Sequence, residues 1–462
     1  MTDRINVGFR TLAGIVALVV LGFAINYVIS QLRNAFIATA ATGTQLTGDA
    51  TSAFSSQTDR LIAFVSEKDG NPDIYTMHAD GSGWTNLTNN PANDLNPVWS
   101  PDGTRIAFES NRSGFKQIFV LMADGTTVIQ LTDDEADHEL NVSDGGNYSP
   151  WSPDGKKLIF SQKVSGEEIE TLYTMDANGE NKKPLVNEAG IYYFPSWSPD
   201  GKYIAFVILD HLGDNVNGRI YVTDSNGNNL TDIMKTLPAD ESLDHWNYSW
   251  SGDAQSISFI ASRSVPGIEN ESNKIDIWNA YEASLDGNTL ITNVTTRSPI
   301  AGYRQGTYFT TQSSAITWVS VKEGKVLAAY PLRNCQNLPD GSGGSTSGGY
   351  SYKESSNGEV VIVAYCPNGD IWLFWVNSKG TVFFPLIDSP IHAAPEVIGN
   401  DFAWSPDDKF IAFNIASADK TDMYILNVSE SLKDPSIQLV QVNDGGGSLS
   451  YSLTWQPMVF SK

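Results

Sequence analysis

Between residues 60 and 460 the chain is a succession of short runs in which apolar and polar positions alternate, each closed by turn residues. The unit that begins at Trp99 shows the order most clearly. A short run around NPVWS is followed by Pro101-Asp102-Gly103, a tight turn. Proline fixes φ there, aspartate bonds its own backbone and glycine takes positive φ. RIAFES follows, alternating and rich in β-formers, then a turn over Asn111 to Gly114. QIFVLM, the Ala123-Asp124-Gly125 turn and VIQLT complete the unit. Period-two alternation between such punctuation predicts antiparallel strands, four to a unit.

The unit recurs. WSPDG stands at Trp99, Trp151 and Trp197, and degenerate forms begin at Trp250, Trp404 and Trp455. The intervals are 52, 46, 53, 154 and 51 residues, so the long one has room for two more units, placed around Tyr308 and Tyr352. A period near ~50 residues, four strands in each, is the signature of a β-propeller. Units at Trp99, Trp151, Trp197, Trp250, Tyr308, Tyr352 and Trp404 make seven. RLIAFVS, DIYTMHADG and TNLT near the start lack a first strand, and SLTWQPMV near the end is a first strand with nothing after it. The expected fold is therefore all-β, an eight-bladed β-propeller over 60–462 closed by the terminal strand, with seven blades as the alternative.

Before this body the pattern changes. Thr11 to Ser30 is an uncharged apolar run, with Arg4 and Arg10 before it and Arg33 after. About 20 such residues can cross ~30 Å of hydrocarbon as a helix. The expectation is one N-terminal transmembrane helix over about 11–32 within a segment 1–37, its amino end in the cytoplasm. A cleaved signal ending at Ala38-Thr39-Ala40 is the alternative. Residues 38–59 are small and polar and are expected to form a flexible linker.

Composition narrows the function. Lys plus Arg number 29 against 53 Asp plus Glu, a net charge of -24. That balance argues against nucleic acid and against adsorption to anionic headgroups. A hydrophobic share of 41% supplies a packed core and rules out global disorder. Cys335 and Cys366 are the two cysteines, too few for a disulfide scaffold. Whether they are bridged is left open.

The recurring Asp102, Asp154 and Asp200 read as turn chemistry, and the recurring tryptophans as packing. Function is expected where the units differ, in the connections between successive blades. These carry His138, Glu139, Tyr192, Tyr193, Asp244, His245, Trp246, Tyr303, Arg304 and His392. Tyrosine, tryptophan and arginine are the residue types that anchor interfaces, so the ten are expected to bind a partner. His138, His245 and His392 could instead converge on a divalent metal, but they fall in different loops, and neither a metal nor a cofactor is expected.

WSPDG, IAF, the IYxMxADG-like strand and QLT together resemble the WD40-like Pro-Asp propeller repeat of the TolB type. The resemblance covers residues 60 to 460. It implies a β-propeller, and among its members are the periplasmic TolB protein, which binds peptidoglycan-associated and inner-membrane partners, propellers attached to prolyl oligopeptidase-like hydrolases, and oligogalacturonate lyases. The small α/β domain that precedes the TolB propeller is not seen ahead of these repeats, and more than the six TolB blades are expected. No G-x-S-x-G elbow occurs, which argues against a peptidase. The resulting expectation is a membrane-anchored, single-pass, extracytoplasmic propeller, in the periplasm or outside the cell. It would act as a non-catalytic interaction or scaffold module on an envelope protein or glycan. The alternative is a glycan binder or metal-assisted polysaccharide lyase using the same face.

Overall fold

The computed structural model describes residues 60–140, 149–163, 170–186, 190–210, 217–266, 274–296, 300–304, 307–312, 315–320, 326–331, 349–355, 359–365, 370–377, 383–387, 391–392, 402–416, 421–433, 440–442 and 450–457. The chain divides into two units, Met1–Ser56 and Gln57–Lys462, and everything described belongs to the second.

The described strands form eight separate antiparallel sheets, numbered here in chain order. Sheet 2 is typical: Asp94–Trp99, Arg105–Ser110, Gln117–Met122 and Val128–Gln130, each paired with the next. Sheets 3 to 6 and 8 repeat the order, their first strands lying at His138–Glu139, Tyr192–Trp197, Ser242–Trp250, Ile300–Arg304 and Phe402–Trp404. Sheet 7 begins at Gly349–Glu354 and gains a fifth strand, Ile391–His392, on Asp370–Val376. Sheet 1 takes its first strand from the other end of the chain: Ser450–Trp455 pairs with Leu61–Ser66. Each sheet packs on the next in sequence, and sheet 8 packs on sheet 1.

The expected fold needs correction. The described residues show an all-β chain of several separate sheets, and the claim of a propeller preceded by a transmembrane helix is not upheld. No helix among them is long and apolar enough to cross a membrane. The described helix, Val428–Ser431, has four residues. At 1.5 Å per residue it rises ~6 Å against ~30 Å of hydrocarbon. The segment 11–32 and the linker 38–59 lie outside the described residues, as do both cysteines.

The core lies between sheets. One cluster joins Ala63, Val65 and Ile74 of sheet 1 to Trp99, Phe108 and Phe119 of sheet 2. Another joins Ala107, Ile118 and Val120 of sheet 2 to Trp151, Leu158 and Phe160 of sheet 3. Within sheets, the second and third strands carry directly opposed aromatics: Phe64 and Tyr75, Phe108 and Phe119, Phe160 and Tyr173, Phe206 and Tyr221, Phe259 and Tyr281, Phe413 and Tyr424. Their centroids are 5.5 to 6.4 Å apart, in the range where aromatic pairs add to simple burial.

The repeated motif explains both the turn and the joint. In WSPDG the aspartate carboxylate accepts from the serine hydroxyl and from the backbone N–H two residues on, as Asp154 does from Ser152 Oγ (2.7 Å) and Lys156 N (3.1 Å). Asp102, Asp200 and Asp253 do the same. Gly103, Gly155 and Gly201 occupy the left-handed region at φ 67, 68 and 70°. In the degenerate copies Ala254 and Asp408 hold that conformation at φ 58 and 56°. The tryptophan reaches backward. Trp151 Nε1 donates to Val98 O (3.1 Å), Trp197 Nε1 to Pro150 O (3.2 Å), and Trp455 Nε1 to Ala403 O (3.0 Å). Trp250 Nε1 donates to Ser196 Oγ (3.0 Å). In every case the acceptor belongs to the residue just before the preceding unit's tryptophan, so each indole staples its sheet to the one before.

Candidate functional site

The ten residues expected in connections fall on strands, and most of them on first strands. His138 and Glu139 form the first strand of sheet 3, and Tyr192 and Tyr193 open that of sheet 4. Asp244, His245 and Trp246 lie within Ser242–Trp250 of sheet 5, and Tyr303 and Arg304 end Ile300–Arg304 of sheet 6. His392 lies on the fifth strand of sheet 7, opposite Asp370. The side chains of Asp244, His245, Trp246, Tyr303, Arg304 and His392 are outside the described residues. The structure brings His138 beside Glu139 and Tyr192 beside Tyr193. The three histidines sit on sheets 3, 5 and 7, and among the described residues no group of three His, Cys, Asp or Glu could hold a metal.

His138 is fully buried. Its Nε2 lies 2.7 Å from Asp134 Oδ1, and its ring meets Phe160 edge-on at 5.5 Å. Burial holds the imidazole below its ordinary range, so the neutral ring donates Nε2–H to the carboxylate. Asp134 also accepts from Lys182, whose ammonium lies over Phe160 and Tyr173. Glu139 takes Lys116 Nζ at 2.8 Å and Lys163 Nζ at 3.1 Å. Burial opposes its ionisation, but the two lysines together hold its carboxyl below the usual value. Tyr192 is 3% exposed and packs on Phe206, so it is a core residue. Tyr193 is half-buried against the core shared by sheets 4 and 5.

Around His138 the connection from sheet 2 to sheet 3 is held tightly. Ile118 N donates to Thr132 Oγ1 (2.9 Å), and Gln117 Nε2 donates to the carbonyls of Asp134 (2.9 Å) and Ala136 (2.8 Å). Lys116 N donates to Asp137 Oδ1 (2.7 Å), and His138 N to Lys116 O (2.8 Å). Asp133, Glu135 and Asp137 alternate outward and are exposed. Phe115, next to Lys116 in the turn between the second and third strands of sheet 2, is 43% exposed. Sequence reasoning missed Phe115. The available signal was a large apolar residue inside a polar Asn-Arg-Ser-Gly turn.

Beneath this connection Glu109 is 2% exposed and accepts from Leu140 N at 2.7 Å, with Lys116 Nζ at 3.6 Å. Burial pushes its carboxyl above the ordinary 4.5, against the pull of Lys116. Burial likewise raises Glu170. A carboxyl whose folded value exceeds its unfolded one stabilises the fold at acid pH, and that contribution is lost as pH rises through the folded value. Turn aspartates have the opposite sign. Asp200, drawn down to about 2 by Lys202, contributes above its ordinary 3.8 and loses that contribution as pH falls toward 2. Glu109→Gln keeps an acceptor for Leu140. Its stability relative to the parent is therefore expected to rise steadily with pH above about 4.5 in urea midpoints. A gap that stays constant from pH 4 to 8 would contradict the raised value.

An all-β propeller assembled from Pro-Asp-Gly repeats, several of them stapled to the one before by tryptophan, is the class of protein these observations define. Residues 37–148 match the family model described as the TolB beta propeller domain. A Protein TolB homolog of Chlorobium chlorochromatii (strain CaD3) is 36% identical over 156 residues, covering 34% of this chain and 32% of the relative. A second, from Chlorobium luteolum (strain DSM 273 / BCRC 81028 / 2530), is 30% identical over 149 residues, covering 32% of this chain and 31% of the relative. The chain thus spans about a third of the length of these curated relatives. Among solved structures, TolB from Acinetobacter baumannii aligns at 14% identity over 86% of this chain and 67% of that one, with a TM-score of 0.41.

Proposed function

We propose that this chain is a non-catalytic protein-interaction module of the cell envelope, acting on the extracytoplasmic side. The TolB-type repeats and the TolB homologues support an interaction role of this kind. Its mechanism is presentation. Packed sheets hold first-strand residues and the connections beside them in fixed positions, and a protein partner docks on that face. The observation that carries the proposal is the clamped connection of sheets 2 and 3. There Phe115 is 43% exposed next to Lys116, whose N–H donates to Asp137 Oδ1, and Asp133, Glu135 and Asp137 of the same connection are exposed. An exposed aromatic on a rigid acidic rim matches the anatomy of an interface anchor, and loses little entropy on docking. Tyr193, Trp246, Tyr303 and Arg304 belong to the same proposed face, whereas Tyr192 supports it from the core.

Crosslinking in intact cells, followed by mass spectrometry, would identify the partner. Phe115→Ala is expected to reduce its capture on the order of tenfold, as truncation of an interface anchor does, with the urea midpoint nearly unchanged. Capture undiminished in that variant would reject this face. The metal-assisted lyase alternative gains no support from histidines distributed over three sheets.

A further inference from the structure

The joints between sheets 2 and 5 are fastened at two levels. One level is the tryptophan staple. The other lies further along the first strand. Glu109 accepts from Leu140 N at the 2/3 joint, Glu170 from Tyr192 N at the 3/4 joint, and Tyr248 Oη donates to Ala205 O (2.8 Å) at the 4/5 joint. Sheet 1 is fastened differently. Its first strand, Ser450–Trp455, is secured at the Trp455 end. Trp455 staples to sheet 8, Gln456 N donates to Leu61 O (2.9 Å), and Leu61 N donates to Gln456 Oε1 (3.3 Å). Gln456 Nε2 also reaches Gly103 O of sheet 2 at 2.8 Å.

Among the described residues the second level has no counterpart there. Asn414 of sheet 8 follows Phe413 as Glu109 follows Phe108, each next to the aromatic that faces the third strand. It is 4% exposed, and neither its Nδ2 nor its Oδ1 has a hydrogen-bond partner. On the other side, the repeat would place the Trp99 staple on Thr454, which precedes Trp455 as Val98 precedes Trp99. Trp99 is 3% exposed and its Nε1 also has no partner. Buried polar groups left unpaired cost stability, so the strand between them is held by less than its counterparts.

We propose that Ser450–Trp455 is an exchangeable strand: it releases from the edge of Leu61–Ser66, and that edge takes the same strand from a second copy of this chain. A bared sheet edge is a row of unpaired N–H and C=O groups, a template for another strand. The second copy is the fitting occupant because its strand restores the whole register, Ile62 with Trp455, Ala63 with Thr454, Val65 with Tyr451 and Ser66 with Ser450. It also restores the three bonds of Gln456, which an unrelated strand would lack. Exchange of an identical element needs no new surface and yields a closed dimer.

The test uses the full chain carrying Ala63→Cys and Thr454→Cys, with Cys335→Ser and Cys366→Ser. Directly opposed residues lie ~4.5–5.5 Å apart between Cα atoms, within disulfide reach. Oxidation of freshly diluted protein is expected to give an intrachain link. Oxidation after prolonged incubation at high concentration is expected to give a covalent dimer on non-reducing gels. An intrachain product alone, at every concentration and time, overturns the proposal. Should the cysteine variant fail to fold, the unsubstituted chain is mixed with a fluorescent peptide of residues 450–457. Saturable uptake is expected, and Gln456→Ala should speed it about tenfold, the factor that corresponds to losing hydrogen bonds worth ~1.4 kcal/mol. No uptake by either chain refutes exchange.

Discussion

Trp151→Ala is expected to destabilise the protein by about 3–5 kcal/mol, the range for truncating a large buried aromatic. The ring is 2% exposed and sits in the core that sheets 2 and 3 share. The Arg105 guanidinium lies over it at 4.9 Å, while its Nε1 donates to Val98 O at 3.1 Å. Alanine would remove the filling of the joint and the staple together, and leave a carbonyl without its donor. Trp151→Phe separates the two effects. It keeps most of the buried area and should cost nearer ~1–3 kcal/mol, the range for stranding one buried polar group. Urea unfolding followed by fluorescence measures both. A loss below about 1 kcal/mol in the alanine variant would show that the joint is not held by this residue.

Asp94→Ala is expected to have an effect of the same size for a different reason. Asp94 is fully buried and accepts both of its bonds from Arg112 Nη2, at 2.9 and 2.8 Å. Arg112 Nε donates to Ser110 Oγ at 2.9 Å, and its guanidinium lies over Phe108 and Phe119 at 5.4 and 4.7 Å. Removing the carboxylate strands a cation against two aromatic rings at the end of sheet 2. Breaking a buried pair this way typically costs about 3–5 kcal/mol, whereas replacing both partners by apolar groups is often neutral. Asp94→Ala with Arg112→Met should therefore recover most of the loss. Equal losses in the single and double variants would mean that the cost is one of packing and not of the abandoned charge.

Much of the scaffold was legible because its instructions are local. The Pro-Asp-Gly turn is written in adjacent residues, and alternation in RIAFES and QIFVLM follows from one face of each strand meeting a neighbouring sheet. The pairing of Ser450–Trp455 with Leu61–Ser66 could also be anticipated, since each end of the repeat array lacked what the other had. The transmembrane helix stands apart. A hydropathy run shows that a segment could span a bilayer, and nothing among the described residues supports that it does.

The candidate site was harder to read, and the reason is physical. First strands carry a bulge three residues before their tryptophan. The register shifts between Leu95 and Val98 and again between Tyr193 and Ser196, with Asn96 and Phe194 at φ 54 and 56°. An extra residue of this kind breaks strict alternation, so Tyr192, Tyr193 and Asp244 to Trp246 read as loop although they are strand. Burial was equally hidden. His138 looked like a surface ligand, and only the coordinates reveal Asp134 beneath it and Phe160 against its ring. Phe115 escaped notice because exposure belongs to the folded surface, which no single turn sequence specifies.

The backward reach of the indoles bears on how such a chain can change over generations. Three of the four acceptors are main-chain carbonyls, those of Val98, Pro150 and Ala403. A main-chain oxygen is present whatever side chain the position bears, so the coupling makes no demand on the identity of the residue it grips. Modules can then be duplicated, lost or eroded one at a time, and the next one along still finds its handhold.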